Sequence, residues 1–403
     1  TPALSSAASD VYKRQMFELV ESVPKNAEIK VVGVGGGGCN AVRHMLDCNI
    51  EGVHLICANT DAQSMEKVDG ATTLQLGNNL TKGLGAGANP EIGRQAALED
   101  KDRISQVLNG ADMVFITAGM GGGTGTGGAP IVAEIAKQMG ILTVGVVTRP
   151  FSFEGRKRME IANEGIKLLR EKVDSLIIVP NEKLLEVLGK DMNLLSAFKH
   201  ANDVLFGAVK GITDLILLDG LMNVDFADVK TVMAEMGMAM MGSSESTGEN
   251  RAVSAAEGAA RCPLLEDADL QGARGILVNI TSGHDLTLGE FQEVGNIIRE
   301  FADEDATIIV GSVFDTEYEG TLRVTVVATG LVSSSTKSVS RPIKDSHTPR
   351  KPGEINWKAL EKPTRARRAE FSAVANNAVD QSETAEVEHD YLDVPAFLRR
   401  QAD

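Results

Sequence analysis

Two glycine-rich segments in the first third of the chain have the composition of phosphate-binding loops. Residues 119–130 read GMGGGTGTGGAP, and residues 33–40 read GVGGGGCN. Glycine lets the backbone adopt positive φ and lets a ligand approach the main chain closely. Each segment follows an apolar run and opens a helical pattern, where free N–H groups and the helix dipole favour anions. Both segments therefore predict phosphate binding, assisted by the hydroxyls of Thr124 and Thr126.

Short apolar runs alternate with amphipathic helical patterns from about residue 27 to residue 180, and these elements must position both segments. The predicted strands lie at 29–35, 53–61, 111–119, 141–148 and 174–181. Strands separated by helices predict parallel βαβ units in a doubly wound α/β sheet. Ligands bind such sheets at the carboxyl ends of the strands, so we expect both segments to converge on one edge.

The second half of the chain predicts a different architecture. Residues 192–217 carry apolar residues nearly all round at helical spacing, which indicates one long helix buried between two domains. Further helices are predicted near 226–239, 248–260 and 288–302, with strands at 275–281, 306–314 and 322–330. Runs of helices followed by strands are typical of an α+β domain, which we place at residues 220–331.

The overall composition argues against several classes of protein. The 403 residues include 40 Lys and Arg against 56 Asp and Glu, and the formal net charge of −16 disfavours general nucleic-acid binding. No apolar run reaches the roughly 18 residues of a membrane span, so we expect no direct membrane insertion. The four cysteines lack the spacing of a metal site or a disulfide framework, which predicts reduced thiols and no metal held by side chains.

The two ends of the chain differ from its middle. Residues 1–15 precede Met16 and lack the apolar segment of a signal peptide, so we expect translation to begin at Met16. Residues 332–389 are polar and aperiodic, which predicts a disordered linker. Its basic part, residues 341–368, is either simply solvated or in contact with acidic surfaces or lipid. Apolar residues return in DYLDVPAFLRRQAD at 390–403, which is too short for a core and indicates a docking peptide.

The first glycine-rich segment alone leaves the nucleotide open. Gly33, Gly35 and Gly38 fit the G-x-G-x-x-G pattern of an NAD-dependent oxidoreductase, and Asp61 ends the next predicted strand, where a ribose-binding acid would lie. Two phosphate segments, however, suit a longer phosphate chain than a dinucleotide has. The chain has no Walker-type G-x-x-x-x-G-K-[ST] sequence, and none of its six histidines has an obvious catalytic partner in the first domain.

GGGTGTG at 121–127 resembles the signature loop of the tubulin/FtsZ superfamily. Further segments match that superfamily in order: GVGGGGCNAV at 33–42, NTD at 59–61, TKGLGAGANPEIG at 81–93, RPFSFEGRKR at 149–158, LMNVDFADV at 221–229 and DYLDVPAFLRR at 390–400. The resemblance covers residues 27–331 and the final peptide, and it is closest to the bacterial cell-division GTPases. A tubulin-like structural protein without catalysis is the remaining alternative.

The resemblance implies a GTPase that polymerises head to tail into cytoplasmic filaments of the midcell division ring. It implies GTP and GDP as ligands, Mg²⁺ held mainly by phosphates and water, and FtsA-like or ZipA-like membrane tethers as partners of the final peptide. The implied segments are an N-terminal extension at 1–26, a GTP-binding domain at 27–192, a central helix at 193–219, the α+β domain at 220–331, the linker at 332–389 and the docking peptide at 390–403.

The resemblance also implies roles for individual residues in nucleotide binding. The first phosphate loop would comprise Gly36, Gly37, Gly38, Cys39 and Asn40, and the loop that closes over the γ-phosphate would contain Ala86 and Gly87. The loop that binds the α- and β-phosphates would comprise Gly123, Thr124 and Gly125. Glu154 and Arg158 would contact the ribose region, and Asn181, Phe198 and Asp203 would lie near the base. We expect the Cys39 thiol to be incidental. Glu154 and Arg158 are also spaced as a helix-surface salt pair. Phe198 could stack on the base, although core packing is the commoner use of such a phenylalanine.

Asp203 would select guanine, because one carboxylate accepts hydrogen bonds from both N1–H and N2–H₂ of that base. A base without this pair of donors would leave buried polar groups unpaired, which gives strong discrimination. The alternative interpretation of Asp203 is a helical carboxylate paired with a nearby lysine.

Asn223, Asp225 and Asp228 in NVDFAD are the catalytic candidates that the resemblance implies. The two carboxylates would position and polarise the attacking water, and Asn223 would orient the γ-phosphate, in the active site of the neighbouring subunit. An N-cap and a first-turn acid of a helix are the structural alternative for Asp225 and Asp228. Such a head-to-tail contact produces open filaments when its rotation does not close a ring.

Overall fold

The computed structural model describes residues 27–331, except residues 67, 189–191, 219, 221, 223, 235–236, 266–272 and 304. The predicted extension at 1–26, the linker at 332–389, the peptide at 390–403 and the candidate Asn223 lie outside the described residues. Within the described part, no helix is long and apolar enough to cross a membrane.

Ten strands and twelve α-helices are assigned in this part of the chain. The strands are β1 (Ile29–Val34), β2 (Val53–Asn59), β3 (Thr72–Gln75), β4 (Met113–Gly119), β5 (Leu142–Arg149), β6 (Ser175–Pro180), β7 (Gly237–Thr247), β8 (Gly275–Ser282), β9 (Thr307–Phe314) and β10 (Thr321–Leu331). The helices are α1 (Gly35–Asp47), α2 (Ala62–Met65), α3 (Asn78–Thr81), α4 (Pro90–Glu99), α5 (Lys101–Leu108), α6 (Thr124–Gln138), α7 (Arg156–Arg170), α8 (Asn181–Leu188), α9 (Leu194–Leu217), α10 (Phe226–Met233), α11 (Arg251–Ala260) and α12 (Leu288–Phe301).

All ten strands form one sheet in the order β3-β2-β1-β4-β5-β6-β7-β10-β8-β9. The strands from β1 to β6 pair in parallel, as the doubly wound pattern predicts, and β10 is antiparallel to both β7 and β8. A short parallel contact, from Ser175–Gly237 to Ile177–Ala239, joins β6 to β7. The sheet is therefore continuous from the parallel part into the part with antiparallel strands.

Helices cover both faces of the parallel part, and β1 shows why. Its consecutive residues Val31 and Val32 point to opposite faces and belong to two different apolar cores. On one face, Val31 packs in a core with residues of α1 and α9, and on the other Val32 packs in a core with residues of α6. This alternation follows from the two-residue period of a strand that is buried on both faces.

One predicted helix is shorter than expected. The helix predicted at 226–239 ends at Met233, and Gly237–Thr247 form a strand, although few of its residues are β-branched. Pairing with β10 along most of that strand outweighs the weak intrinsic preference. The helices α1 and α6 begin inside the glycine-rich segments, at Gly35 and Thr124.

The long helix α9 is buried along only part of its length. Leu205, Val209 and Ile212 lie in one core that also includes residues of β8 and β9, so the helix connects the two parts of the sheet. Its first turn lies outside this core, since the side chains of Leu194 and Leu195 are 58% and 83% exposed. The later turns of α9 are therefore buried as predicted, whereas the predicted burial of its first turn is wrong.

Candidate functional site

The first phosphate loop is the junction between β1 and α1, at the carboxyl end of a central strand. The junction turns at Gly35, whose φ of +73° is unfavourable for other residues. A Cβ atom on Gly38 would overlap the Thr117 carbonyl oxygen, so this glycine is required for packing against β4. A Cβ atom on Gly36 would meet no atom within 4 Å, which leaves its peptide open to a ligand.

The second phosphate loop joins β4 to α6 and lies against the loop that contains Ala86 and Gly87. The Gly123 amide donates to the Gly87 carbonyl at 2.9 Å. A Cβ atom on Gly123 would lie 2.5 Å from that oxygen and 3.0 Å from the Ala86 carbonyl oxygen. A Cβ atom on Gly122, in contrast, would meet nothing within 4 Å. The sequence alone predicted the second phosphate loop and the loop at Ala86 and Gly87 as separate segments, and the fold brings them into contact.

The two phosphate loops also contact each other. A Cβ atom on Gly35 would lie 2.7 Å from the Gly125 amide nitrogen, and one on Gly37 would lie 3.0 Å from the Gly119 Cα. The hydroxyls of Thr60, after β2, and Thr124 are 2.6 Å apart. The carboxyl ends of β1, β2 and β4 therefore form one surface of close-packed backbone, as expected from the parallel sheet.

The residues predicted near the sugar and base follow β5 and β6 on the same edge. Asn181 begins α8 and is 4% exposed, and its Oδ1 has no hydrogen-bond partner among the described residues. Phe198 packs edge-on against Phe151, with ring centroids 5.3 Å apart, and is 40% exposed. Arg158 lies 3.2 Å from Glu154, so the helix-surface salt pair is present.

Two histidines hold the Asp203 carboxylate. His44 Nε2 lies 2.7 Å from Oδ1, and His200 Nδ1 lies 3.2 Å from Oδ2. The partners of Asp203 among the described residues are therefore these two histidines and not the lysine considered from the sequence. The contact with His44 was missed from the sequence, because α1 and α9 meet only in the folded chain.

Two of the remaining candidates in α1 have local contacts. Asn40 Oδ1 accepts a hydrogen bond from Arg43 Nη2 at 3.0 Å. Cys39 is 3% exposed, and a hydrogen bond with the Cys57 thiol, together with burial, raises the pKa of the Cys39 thiol. A protonated, buried thiol is a poor nucleophile.

Asp225 and Asp228 stand at the start of α10, and both are exposed. Asp225 occupies the N-cap position, but its side chain makes no capping hydrogen bond. Neither carboxylate has an ion pair or side-chain hydrogen bond with another described residue. Capping therefore does not account for the side chain of Asp225, and both carboxylates are available to a ligand or to another molecule.

These carboxylates lie at the opposite end of the subunit from the phosphate loops. The 24 residues of α9 span about 36 Å, beginning next to Phe151 at the carboxyl edge of the sheet. A Cβ atom on Gly52, just before β2, would lie 2.7 Å from Leu217 Cδ1, so α9 ends at the amino edge. The following chain stays near this end of α9, because a Cβ atom on Gly311 would lie 2.5 Å from Leu215 Cδ2 and 2.8 Å from Val224 Cγ2.

No group of three or more His, Cys, Asp or Glu side chains within the described ranges is arranged to hold a metal ion. The donors of the phosphate surface are instead backbone amides and threonine hydroxyls, which suit an anion. This edge of the sheet therefore has a donor chemistry that suits a phosphate chain.

Comparison with known proteins agrees with this geometry. Residues 28–189 match the model of the Tubulin/FtsZ family, GTPase domain, and residues 237–332 match that of the FtsZ family, C-terminal domain. The cell division protein FtsZ of Pseudomonas aeruginosa is 60% identical over 397 residues, covering 96% of this chain and 100% of that protein. The FtsZ of Coxiella burnetii is 57% identical, with coverages of 96% and 99%.

Solved structures lead to the same assignment. An FtsZ dimer of M. jannaschii superposes with a TM-score of 0.73 at 45% identity, covering 82% of this chain and 94% of that one. CetZ2 from Haloferax volcanii, at 18% identity and a TM-score of 0.64, shares the fold. These matches decide against the NAD-dependent oxidoreductase that the first glycine pattern left open. The chain belongs to the FtsZ family of tubulin-like GTPases, which assemble into filaments in cell division.

Proposed function

We propose that the surface formed by the two phosphate loops binds the triphosphate of GTP, with the base beyond the ends of β5 and β6. The open space at Gly36 and Gly122 gives the phosphates access to backbone amides at the start of α1 and near the start of α6. The unpartnered Oδ1 of Asn181 offers a buried acceptor to a donor of guanine or ribose. Asp203 offers the two acceptor oxygens that guanine needs.

Asp225 and Asp228, together with Asn223, complete the site of the next subunit in a head-to-tail filament. The observation that supports this role is the separation of α10 from the phosphate loops by the length of α9. A second copy stacked along that axis would bring its exposed carboxylates onto the γ-phosphate. There they would position and polarise the attacking water, and phosphoryl transfer depends mainly on such placement and charge.

Mg²⁺ would accompany the nucleotide, bound mostly through phosphate oxygens and water. The donor set fits this arrangement, because Thr124 Oγ1 and Thr60 Oγ1 lie at the phosphate surface while no side-chain cage exists within the described residues. When bound, the ion would offset the negative charge on the oxygens of the transferring phosphoryl group.

We expect GTP turnover per subunit to rise steeply above a threshold protein concentration, because only assembled subunits have a complete site. Hydrolysis and sedimentation measured over the same concentration series check this result. Chelation of Mg²⁺ with EDTA is expected to abolish turnover. Turnover independent of protein concentration, or preferential binding of NAD, would contradict the proposed function. Sedimentation with GTP but without turnover would indicate a structural protein.

Residues 390–403 are proposed as the docking site for membrane tethers of the FtsA-like or ZipA-like type at the midcell division site. Deletion of these residues is expected to leave GTP turnover and sedimentation unchanged. Binding of the full chain to a purified tether, measured by co-sedimentation, is expected to be lost, and so is the midcell ring of a fluorescent fusion in cells. Loss of polymerisation in the deletion variant would show that this segment acts in assembly instead.

A further inference from the structure

His44 lies on α1, about one helical turn after Asn40, and it is not one of the predicted nucleotide-binding residues. Its side chain is 12% exposed and points at the carboxylate of Asp203 on α9. The Phe206 ring packs edge-on against its imidazole, with centroids 6.1 Å apart. The imidazole is therefore fixed by packing on one side and by the carboxylate on the other.

The 2.7 Å separation between His44 Nε2 and Asp203 Oδ1 is that of a charge-assisted hydrogen bond. An ionised carboxylate only accepts hydrogen bonds, so Nε2 must carry the proton in this contact. His200 Nδ1 contacts the other oxygen, at 3.2 Å, from a side chain that is 43% exposed. Since His44 is the more buried partner and makes the shorter contact, it restrains the carboxylate more strongly.

Each carboxylate oxygen has two lone pairs, so one hydrogen bond from a histidine leaves the other lone pair free. The two free lone pairs match the N1–H and N2–H₂ donors of guanine only if the plane of the carboxylate is fixed. An unrestrained aspartate on an exposed helix face rotates about χ2, which is a broad torsion. Asp203 is 41% exposed at its side chain, so burial alone does not fix it.

We propose that His44 is a positioning residue that fixes the Asp203 carboxylate for bidentate recognition of guanine. The inference rests on the proposed contact between Asp203 and the base. Its consequence is selectivity for the N2 amino group: inosine nucleotides lack this group, so they cannot make the second hydrogen bond. Loss of His44 should therefore weaken guanosine binding more than inosine binding.

The test compares the dissociation constants of GDP and IDP for the full chain below its polymerisation threshold. His44→Leu keeps an apolar side chain against Phe206 but removes the donor, and His44→Gln keeps an N–H donor of similar reach. We expect the preference for GDP over IDP to fall about tenfold in His44→Leu and to return in His44→Gln. His54→Gln is the matched control, because the side chain of His54 is 72% exposed and lies near Glu28.

Asp203→Ala separates failure of this inference from failure of the proposed base contact. If Asp203→Ala loses the preference for GDP while His44→Leu retains it, the positioning role is wrong and the base contact stands. An equal loss of GDP and IDP affinity in His44→Leu, with a lower melting temperature, would also overturn the inference, since it indicates a purely structural role. If Asp203→Ala keeps the wild-type preference, the base contact and the inference are both wrong.

Discussion

Replacing Asp228 with asparagine is expected to lower GTP turnover by about 100-fold or more, while the GDP affinity of the monomer stays unchanged. The side chain is exposed at the start of α10, without an ion pair among the described residues, so the substitution removes a charge and little packing. Turnover is measured above the polymerisation threshold, and sedimentation with GTP checks that the variant still assembles. Wild-type turnover in the assembled variant would exclude Asp228 from the chemistry.

A mixing experiment tests whether the acid acts on the neighbouring subunit. Asparagine at position 203 would accept from N1–H and donate to O2 of xanthine, so Asp203→Asn should use XTP in place of GTP. In a mixture of Asp228→Asn and Asp203→Asn with both nucleotides, GTP is bound only by subunits that lack their own Asp228. We expect equal amounts to restore GTP hydrolysis to about half the wild-type rate per GTP site. Absence of recovery in mixed filaments would show that each subunit uses its own carboxylate.

The second large effect concerns a glycine that is needed for packing. Alanine at position 127 is expected to lower the free energy of unfolding by about 3 kcal/mol or more. Its Cβ atom would overlap the Pro90 carbonyl oxygen and lie 2.7 Å from the Arg94 amide nitrogen, both in the backbone of α4. Backbone atoms cannot move aside as a flexible side chain can, so α4 and α6 must separate. Denaturant unfolding of the GDP-free chain measures this loss.

Two other helical glycines serve as matched controls for Gly127. In the Gly295→Ala variant of α12, the new Cβ atom meets no atom within 4 Å. This variant should have a free energy of unfolding that is higher by about 0.5–1 kcal/mol, because alanine favours a helix more than glycine does. The Gly36→Ala methyl group also meets no atom within 4 Å, but this variant should bind GDP about tenfold more weakly, because the methyl group would occupy the open space proposed for the phosphates. Equal stability of the Gly127 and Gly295 variants would contradict the close contact of α4 with α6.

Local patterns predicted the parallel half of the fold well. Apolar runs such as that of β1 and β4 are buried on both faces, so they are visible without knowledge of the tertiary structure. The strand Gly237–Thr247 could not be predicted in this way, because its Met, Gly and Ser residues form a strand only between β6 and β10. The continuity of the sheet through that strand was missed for the same reason.

Prediction of the candidate site was limited in a similar way. The glycine segments indicated phosphate binding, but nothing in their spacing distinguished glycines that allow close packing, such as Gly38, from those that face open space, such as Gly36. The contact between His44 and Asp203 joins residues 159 positions apart, through the packing of α1 on α9. Such a contact depends on the angle between two helices, which no local pattern contains.

The length of α9 has a consequence for the ends of a filament. If the carboxylates and the phosphate loops lie at opposite poles of each subunit, one terminal subunit always presents a nucleotide that no neighbour has covered. The other terminal subunit presents carboxylates with no nucleotide to act on. The first of these ends would retain GTP and exchange it with solvent, while interior sites hydrolyse theirs. The direction of one helix would thus make the two ends of the polymer chemically different. It would also delay hydrolysis at each site until the next subunit has bound.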